Sequence, residues 1–272
     1  MILFDTHCHL QDPAFDDVEA VISRSVEAGL VGMAVCGYDL PSSHRAVELA
    51  SQYAAIHATA GIHPHDAEMV TDADLDAIRA LALSGNLVGV GELGLDFYRD
   101  LSPRDRQIEV LDAQLAIANE AALPVCVHSR GAEDVIGGQL RRYAAASPLT
   151  AGGRHPGVMH CFGGTLEQTM AFIDLGFLVS IACSVTYPKN EESRRIAREL
   201  PLASIVVETD SPYLPPQEHR GKRNEPAHVR AAVLAIAATR GIDPGEVAVR
   251  TTANAHRLYG VAAPAPAGAN AR

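Results

Sequence analysis

Eight short apolar runs recur along this chain, and segments with helical spacing lie between them. The runs are ILFDTH (2–7), VGMAVCG (31–37), IHATAGI (56–62), NLVGVGE (86–92), LPVCVHS (123–129), GVMHCF (157–162), FLVSIAC (177–183) and SIVVETD (204–210). They are rich in Val and Ile and often bounded by Gly or Pro, the pattern of strands buried on both faces in a parallel sheet. Apolar residues at helical spacing predict helices over Asp17 to Ala28 (Val18, Val21, Ile22, Val26) and over Pro103 to Glu120 (Ile108, Leu111, Leu115, Ala118). Eight βα units within 272 residues match the size of one α/β domain, a single (β/α)8 TIM barrel, expected over residues 1–260. An open doubly wound sheet is the alternative, and the lack of a GxGxxG after the first strand weakens it. Two stretches read as irregular: a Gly- and Pro-rich loop at 144–157 and a disordered Ala/Pro-rich tail at 261–272.

Charge and cysteine content narrow the function classes. The net charge is −11, whereas a protein that grips nucleic acid broadly must be basic to neutralise phosphates. Any phosphate polymer must therefore be handled at a local site, with metal ions. The five cysteines form no CxxC pair, and four sit inside apolar runs, so they are expected to be small buried thiols in a reducing compartment. No run approaches the ~18 residues of a membrane span, and the N-terminus has no basic region before an apolar stretch. The expectation is a cytoplasmic protein with no membrane partner and no organic cofactor, acting as a monomer.

Polar residues cluster where each apolar run ends. In a strand, residues i and i+2 point to one face, so His7 and His9 can aim at a common point. Glu92 is expected as the last residue of strand four, His128 at the end of strand five and His160 at the end of strand six. Glu208 and Asp210 follow strand eight. A charge or imidazole after an apolar run is costly unless paired or ligated, and C-terminal strand ends are the chemical face of such barrels. Imidazole plus carboxylate suits a divalent ion such as zinc, manganese or iron. Six ligands (His7, His9, Glu92, His128, His160, Asp210) are too many for one ion that keeps an open position, and they suit two bridged ions.

The ordered set FDTHCHL, GIHPH (61–65), GELGLDFYR (91–99), LPVCVHSR (123–130), HCFGG (160–164), ETDSPYL (208–214) and RGKRNEP (220–226) resembles the TatD family of metal-dependent hydrolases, within the amidohydrolase-like barrels. The resemblance runs from Asp5 to Pro226. It implies a TIM barrel with two divalent ions (Zn, Mg or Mn) that hydrolyses phosphodiester bonds, as a DNase acting on 3′ ends of DNA. It also implies roles: His7 and His9 on the first ion, Glu92 bridging, His128 and His160 on the second, and Asp210 on the first ion and the hydrolytic water. Gly163 stands where many members carry Ser, and the 144–157 stretch is longer than usual.

That chemistry needs further groups. Asp210 is the expected proton acceptor, with Glu92 holding the ions together. Asp5, of the same parity as His7, is a candidate to orient a ligand histidine. His63 is a candidate catalytic residue and, with His65, a candidate substrate contact. Arg130, Arg220, Arg223 and Asn224 are expected to contact the phosphate, with Arg99 and Lys222 nearby. Tyr98, Tyr187 and Tyr213 are candidates to stack on a base, with packing the stronger expectation. Arg194, Arg195 and Arg198 read as a solvated helix face, and the remaining six histidines as non-ligands. Two other functions compete. One is hydrolysis of an ester, lactone or amide, including aminoacyl esters, where a carboxylated lysine often bridges; here only Lys189 lies near a strand end. The other is a binding protein without catalysis, which the complete ligand set argues against.

Overall fold

A computed structural model of the chain describes residues 1–262. Its strands are β1 (Leu3–Cys8), β2 (Leu30–Cys36), β3 (Ile56–Ala60), β4 (Gly89–Asp96), β5 (Val125–Arg130), β6 (Gly157–Met159), β7 (Leu178–Ala182) and β8 (Ile205–Glu208). They form one parallel sheet in sequence order. Among the described residues the helices are α1 (Val18–Glu27), α2 (Leu40–Gln52), α3 (Asp72–Leu83), α4 (Arg104–Ala121), α5 (Glu133–Ala146), α6 (Pro148–Ala151), α7 (Leu166–Asp174), α8 (Glu191–Glu199), α9 (Val229–Arg240) and α10 (Pro244–Tyr259). The expected TIM barrel is the observed fold. From residue 263 onward, the Ala/Pro-rich tail lies outside the described residues.

The sheet closes through its upper residues. Asp210 N donates to His7 O at 2.9 Å, and His9 N donates to Ser211 O at 2.7 Å. Below them, the buried Asp5 carboxylate accepts from Thr209 N (2.9 Å) and Thr209 Oγ1 (2.5 Å), and at longer range from His7 N. Asp5 therefore fastens the seam between the first and last strands, not a ligand imidazole. The shared parity with His7 is broken by a bulge: between Asp5 and Cys8, three steps of β1 oppose two of β2. Thr6 and His7 consequently both face the lumen, where Thr6 Oγ1 meets Ser180 Oγ at 3.3 Å and His7 meets the β5 side chain of Cys126.

The bottom of the barrel is plugged by apolar side chains. Phe4, Ala34, Cys126, Val158, Leu178 and Val206 pack with Ala255, Leu258 and Tyr259 of α10. Tyr259 stacks on Phe4, and its hydroxyl donates to Thr6 O at 2.8 Å. The helices cover the outside with a second, larger apolar layer. In α4, Leu111, Leu115 and Ala118 are buried and Ile108 is half-buried. The same helix buries two glutamines that sequence periodicity does not mark. Gln114 brackets Ile62 with bonds to its N (2.7 Å) and O (3.0 Å), and Gln107 accepts from Asp96 N at 2.9 Å. Both pin the upper ends of strands that carry site residues.

Two local expectations are corrected. Strand four does not end at Glu92 but continues to Asp96, because a second bulge, between Val90 and Leu93, keeps it paired with β5 through Asp96 and Arg130. Gly94 permits this: its φ is +148°, and a Cβ there would lie 1.9 Å from His128 O. The stretch 144–157 is not a loop throughout. α5 runs to Ala146, and Ser147 then caps α6, accepting from Leu149 N with Pro148 in the first helical position. All five cysteines are free, and only Cys161 is not fully buried, as expected of packing thiols.

Replacing Asp5 with Ala leaves Thr209 N, Thr209 Oγ1 and His7 N without their buried acceptor. The expected loss is about 3 kcal/mol or more in urea unfolding, with Thr209→Val losing less because it removes one donor and leaves the carboxylate two others. An Asp5→Ala barrel as stable as the parent would contradict the seam.

Candidate metal centre

The buried carboxylate of Glu92 sits at the centre of the upper lumen with one group of imidazoles on each oxygen. Its Oε2 lies 3.4 Å from His7 Nε2 and 3.6 Å from His9 Nε2. Its Oε1 lies 3.1 Å from His128 Nδ1, 3.0 Å from His160 Nε2 and 3.5 Å from His63 Nε2. Asp210 Oδ1 closes the first group, 3.7 Å from His7 Nε2 and 3.5 Å from His9 Nε2. Asp210 follows β8 in the left-handed region, φ 56°, a conformation aspartate tolerates better than most residues.

The opposite ring atoms are held in place. His9 Nδ1 donates to Cys36 O at 2.9 Å, and His7 Nδ1 lies 3.1 Å from Cys126 Sγ. His160 Nδ1 is the exception: it faces Glu208 Oε1 at 3.4 Å without a hydrogen bond, while that oxygen accepts from Cys161 N at 2.7 Å. His128 Nε2 and His65 Nε2 both reach Asp96 Oδ2, at 3.2 and 2.9 Å. A fixed outer nitrogen leaves the inner one to serve as a ligand. The sequence pattern ends strand four at Glu92 and leaves Asp96 outside the expected site. In GELGLD, Glu92, Gly94 and Asp96 share one parity, but only the bulge that extends β4 makes Asp96 part of the strand.

The electrostatics explain why these charges tolerate burial. Burial by itself raises a carboxyl, but His160, His63 and His7 around Glu92 outweigh it and hold Glu92 well below the usual carboxylate range. Asp210 is likewise held low against burial by the His9 hydrogen bond and by the His160 and His7 charges. Burial lowers His160, yet Glu92 and Glu208 raise it overall. His63 has too little compensation from Glu92 and falls to about 3, so its ring is neutral at physiological pH. Two imidazole Nε2 atoms 3.0 Å apart, flanked by two carboxylates, form a donor set that a divalent cation satisfies better than a shared proton does. The sets His7–His9–Glu92, His7–His160–Asp210 and His63–Glu92–His128 each have ligand atoms within 4.8 Å of one another. The residues fit metal ions.

The cluster opens into a cavity with two lobes. One, about 570 Å³, is lined by Tyr38, His63, His65 and Asp66; the other, about 820 Å³, runs past Gly163, Gly164, Thr165 and Gln168. Arg99, Arg130, Asp210 and Tyr213 line both. A Cβ on Gly163 would meet nothing within 4 Å, so the wall of the larger lobe is open at this position.

Arg220, Arg223 and Asn224 do not line this cavity. Arg223 donates to Ala14 O and pairs with Asp17 (2.8 Å) and Glu225 (3.0 Å), committed to the start of α1. Asn224 is buried and donates to Thr209 O (2.9 Å) and Tyr213 O (2.7 Å), so it shapes the loop that carries Asp210. Arg220 stacks on Tyr187, whose hydroxyl donates to Pro215 O. Tyr98 stands exposed at the rim beneath the Arg130 guanidinium. Arg194 is not solvated as expected: it is half-buried and clamps the loop after β7 through Val185, Tyr187 and Pro188 carbonyls.

A family model described as TatD related DNase matches residues 4–260. The chain belongs to the TatD family. It is 37% identical over 260 residues to the uncharacterized metal-dependent hydrolase YabD of Bacillus subtilis, covering 95% of this chain and 99% of that protein. It is also 37% identical over 267 residues to the 3′-5′ ssDNA/RNA exonuclease TatD of Citrobacter koseri, covering 96% and 100%. The crystal structure of the TatD homologue YjjV from Escherichia coli superposes with a TM-score of 0.88 at 32% identity, over 96% of this chain and 98% of that one. Membership makes this barrel a metal-dependent hydrolase. Among the described residues no helix is long and apolar enough to cross a membrane.

Because Asp96 orients His128, Asp96→Ala is expected to weaken metal binding roughly 10- to 100-fold. Calorimetric titration of the metal-free protein reads this directly. Equal affinities in variant and parent would remove Asp96 from the centre.

Proposed function

We propose that this TatD-family hydrolase binds two divalent ions and cleaves phosphodiester bonds at the 3′ end of single-stranded DNA. The observation that carries the reading is the division of Glu92, with Oε2 toward His7 and His9 and Oε1 toward His63, His128 and His160. When bound, such ions neutralise phosphate charge and make water acidic enough to attack near neutral pH. Zinc, manganese and magnesium all suit this set of imidazoles and carboxylates in some measure.

The chain's own groups supply the remainder. Asp210, beside the His7–His9 pair and lining the cavity, accepts the proton of the attacking water. His63 and His65, on the loop after β3, face the smaller lobe. Neutral His63 donates a hydrogen bond to substrate or completes the ligand set of the second ion. Arg99 and Arg130 line both lobes and hold the non-bridging phosphate oxygens. With a net charge of −11, these local cations must provide the attraction, which favours a chain end entering a cavity over broad duplex contact. The exonuclease named among the relatives supports the same substrate.

The test uses metal-stripped protein refilled with Mg²⁺, Mn²⁺ or Zn²⁺ and single-stranded DNA labelled at its 5′ end. The expected product is a ladder shortening from the 3′ end. Asp210→Asn is expected to reduce kcat by about 10²–10⁴ while still binding DNA. Intact DNA with every metal, from protein shown to hold its ions, would exclude the nuclease reading and leave ester and amide substrates.

A further inference from the structure

Behind the His7 imidazole, on the side away from Glu92, lie two thiols. A ring nitrogen of His7 and the sulfurs of Cys36 and Cys126 are all within 4.8 Å of one another, and Nδ1 is 3.1 Å from Cys126 Sγ. All three side chains are buried in the lumen, and the two thiols belong to the apolar plug beneath the carboxylates. A buried imidazole nitrogen needs a partner, and a metal-ligating histidine ordinarily gives its second N–H to a carboxylate, a carbonyl or water. His9 follows that rule through Cys36 O. His7 does not, since the atom recorded at its Nδ1 is a sulfur.

We infer that Cys126 is the positioning residue of His7 and that Cys36 completes the device. For His7 Nε2 to offer a lone pair toward Glu92 and Asp210, Nδ1 must carry the proton and donate it to Cys126 Sγ. Cys126 then directs its own S–H to the neighbouring Cys36 sulfur. Cys36 directs its S–H to Ala34 O, 3.8 Å away. Each sulfur accepts one hydrogen bond and donates one, and the chain ends on a backbone carbonyl. Cys36 thereby serves both histidines of the first strand, His9 through its carbonyl and His7 through the thiol relay. The inference rests on the reading of His7 as a metal ligand. It gives two cysteines that look like packing residues a role in setting ion affinity at one side of the centre.

The experiment measures Zn²⁺ affinity by competition with a chromophoric chelator, for the full chain and for Cys126→Val, Cys126→Ala and Cys126→Ser. Val and Ala keep an apolar lumen but cannot accept the His7 proton; Ser can. The expected result is a roughly 10- to 100-fold weaker affinity for one ion only in Val and Ala, and recovery of most of it in Ser. Thermal unfolding of the metal-free proteins separates this from misfolding, because the affinity loss is read only in variants that melt cooperatively. Parent-like affinity in either apolar variant overturns the inference, as does equal loss of both ions or an equal loss in Ser. A parent protein that binds no zinc fails differently: it removes the metal centre itself.

Discussion

Everything at the top of this barrel is organised around one buried negative charge. Glu92 lies in the lumen at 4% exposure, a setting that disfavours an ionised carboxylate unless cations or donors surround it. The fold answers by bringing five imidazoles to its two oxygens, from β1, β5 and the segments after β1, β3 and β6. Those imidazoles cannot all be protonated at once without repelling one another. The arrangement is therefore balanced by ions more readily than by protons, and the proposed two-ion phosphodiesterase chemistry builds on the same constraint that makes the site hard to build.

The supporting structure reads as a set of devices that keep this cluster from relaxing. Asp5 fastens β1 to the chain after β8 and so fixes the distance between the His7–His9 pair and Asp210. Asn224 ties Thr209 and Tyr213 on either side of Asp210. Gln107 and Gln114 hold the ends of the strands that bear Asp96 and precede His63. These are uncharged or fully partnered groups placed one layer away from the chemistry, where they add rigidity without changing the charge of the site.

Much of this was legible in the sequence, for a physical reason. Parallel strands of a barrel are apolar on both faces, so a His or Glu at the end of such a run has no cheap explanation except a site. That logic picks out His7, His9, Glu92, His128, His160 and Asp210, and the structure brings all six together. What it could not see were the two bulges. In β1 a bulge separates the facing of Asp5 from that of His7, and in β4 another carries the strand four residues past Glu92 to Asp96. Period-two reasoning fails wherever a strand gains a residue, and a bulge has no fixed sequence signature. Arg223 and Asn224 illustrate the other limit. A basic loop near a site in sequence can be spent on ion pairs and backbone carbonyls, and only the three-dimensional partners reveal it. Arg130, expected from the sequence as a phosphate contact, and Arg99, expected only nearby, are the cations that line the cavity.

The proposed chemistry depends on Glu92 being shared between two ions. The most direct measurement is a crystal of the Mn²⁺-loaded protein, with anomalous scattering used to locate the metal. A shared Glu92 gives two peaks, one between Glu92 and the His7–His9–Asp210 group and one between Glu92 and the His128–His160 group, with a different Glu92 oxygen on each. A single peak, or a second peak that Glu92 does not touch, would contradict it.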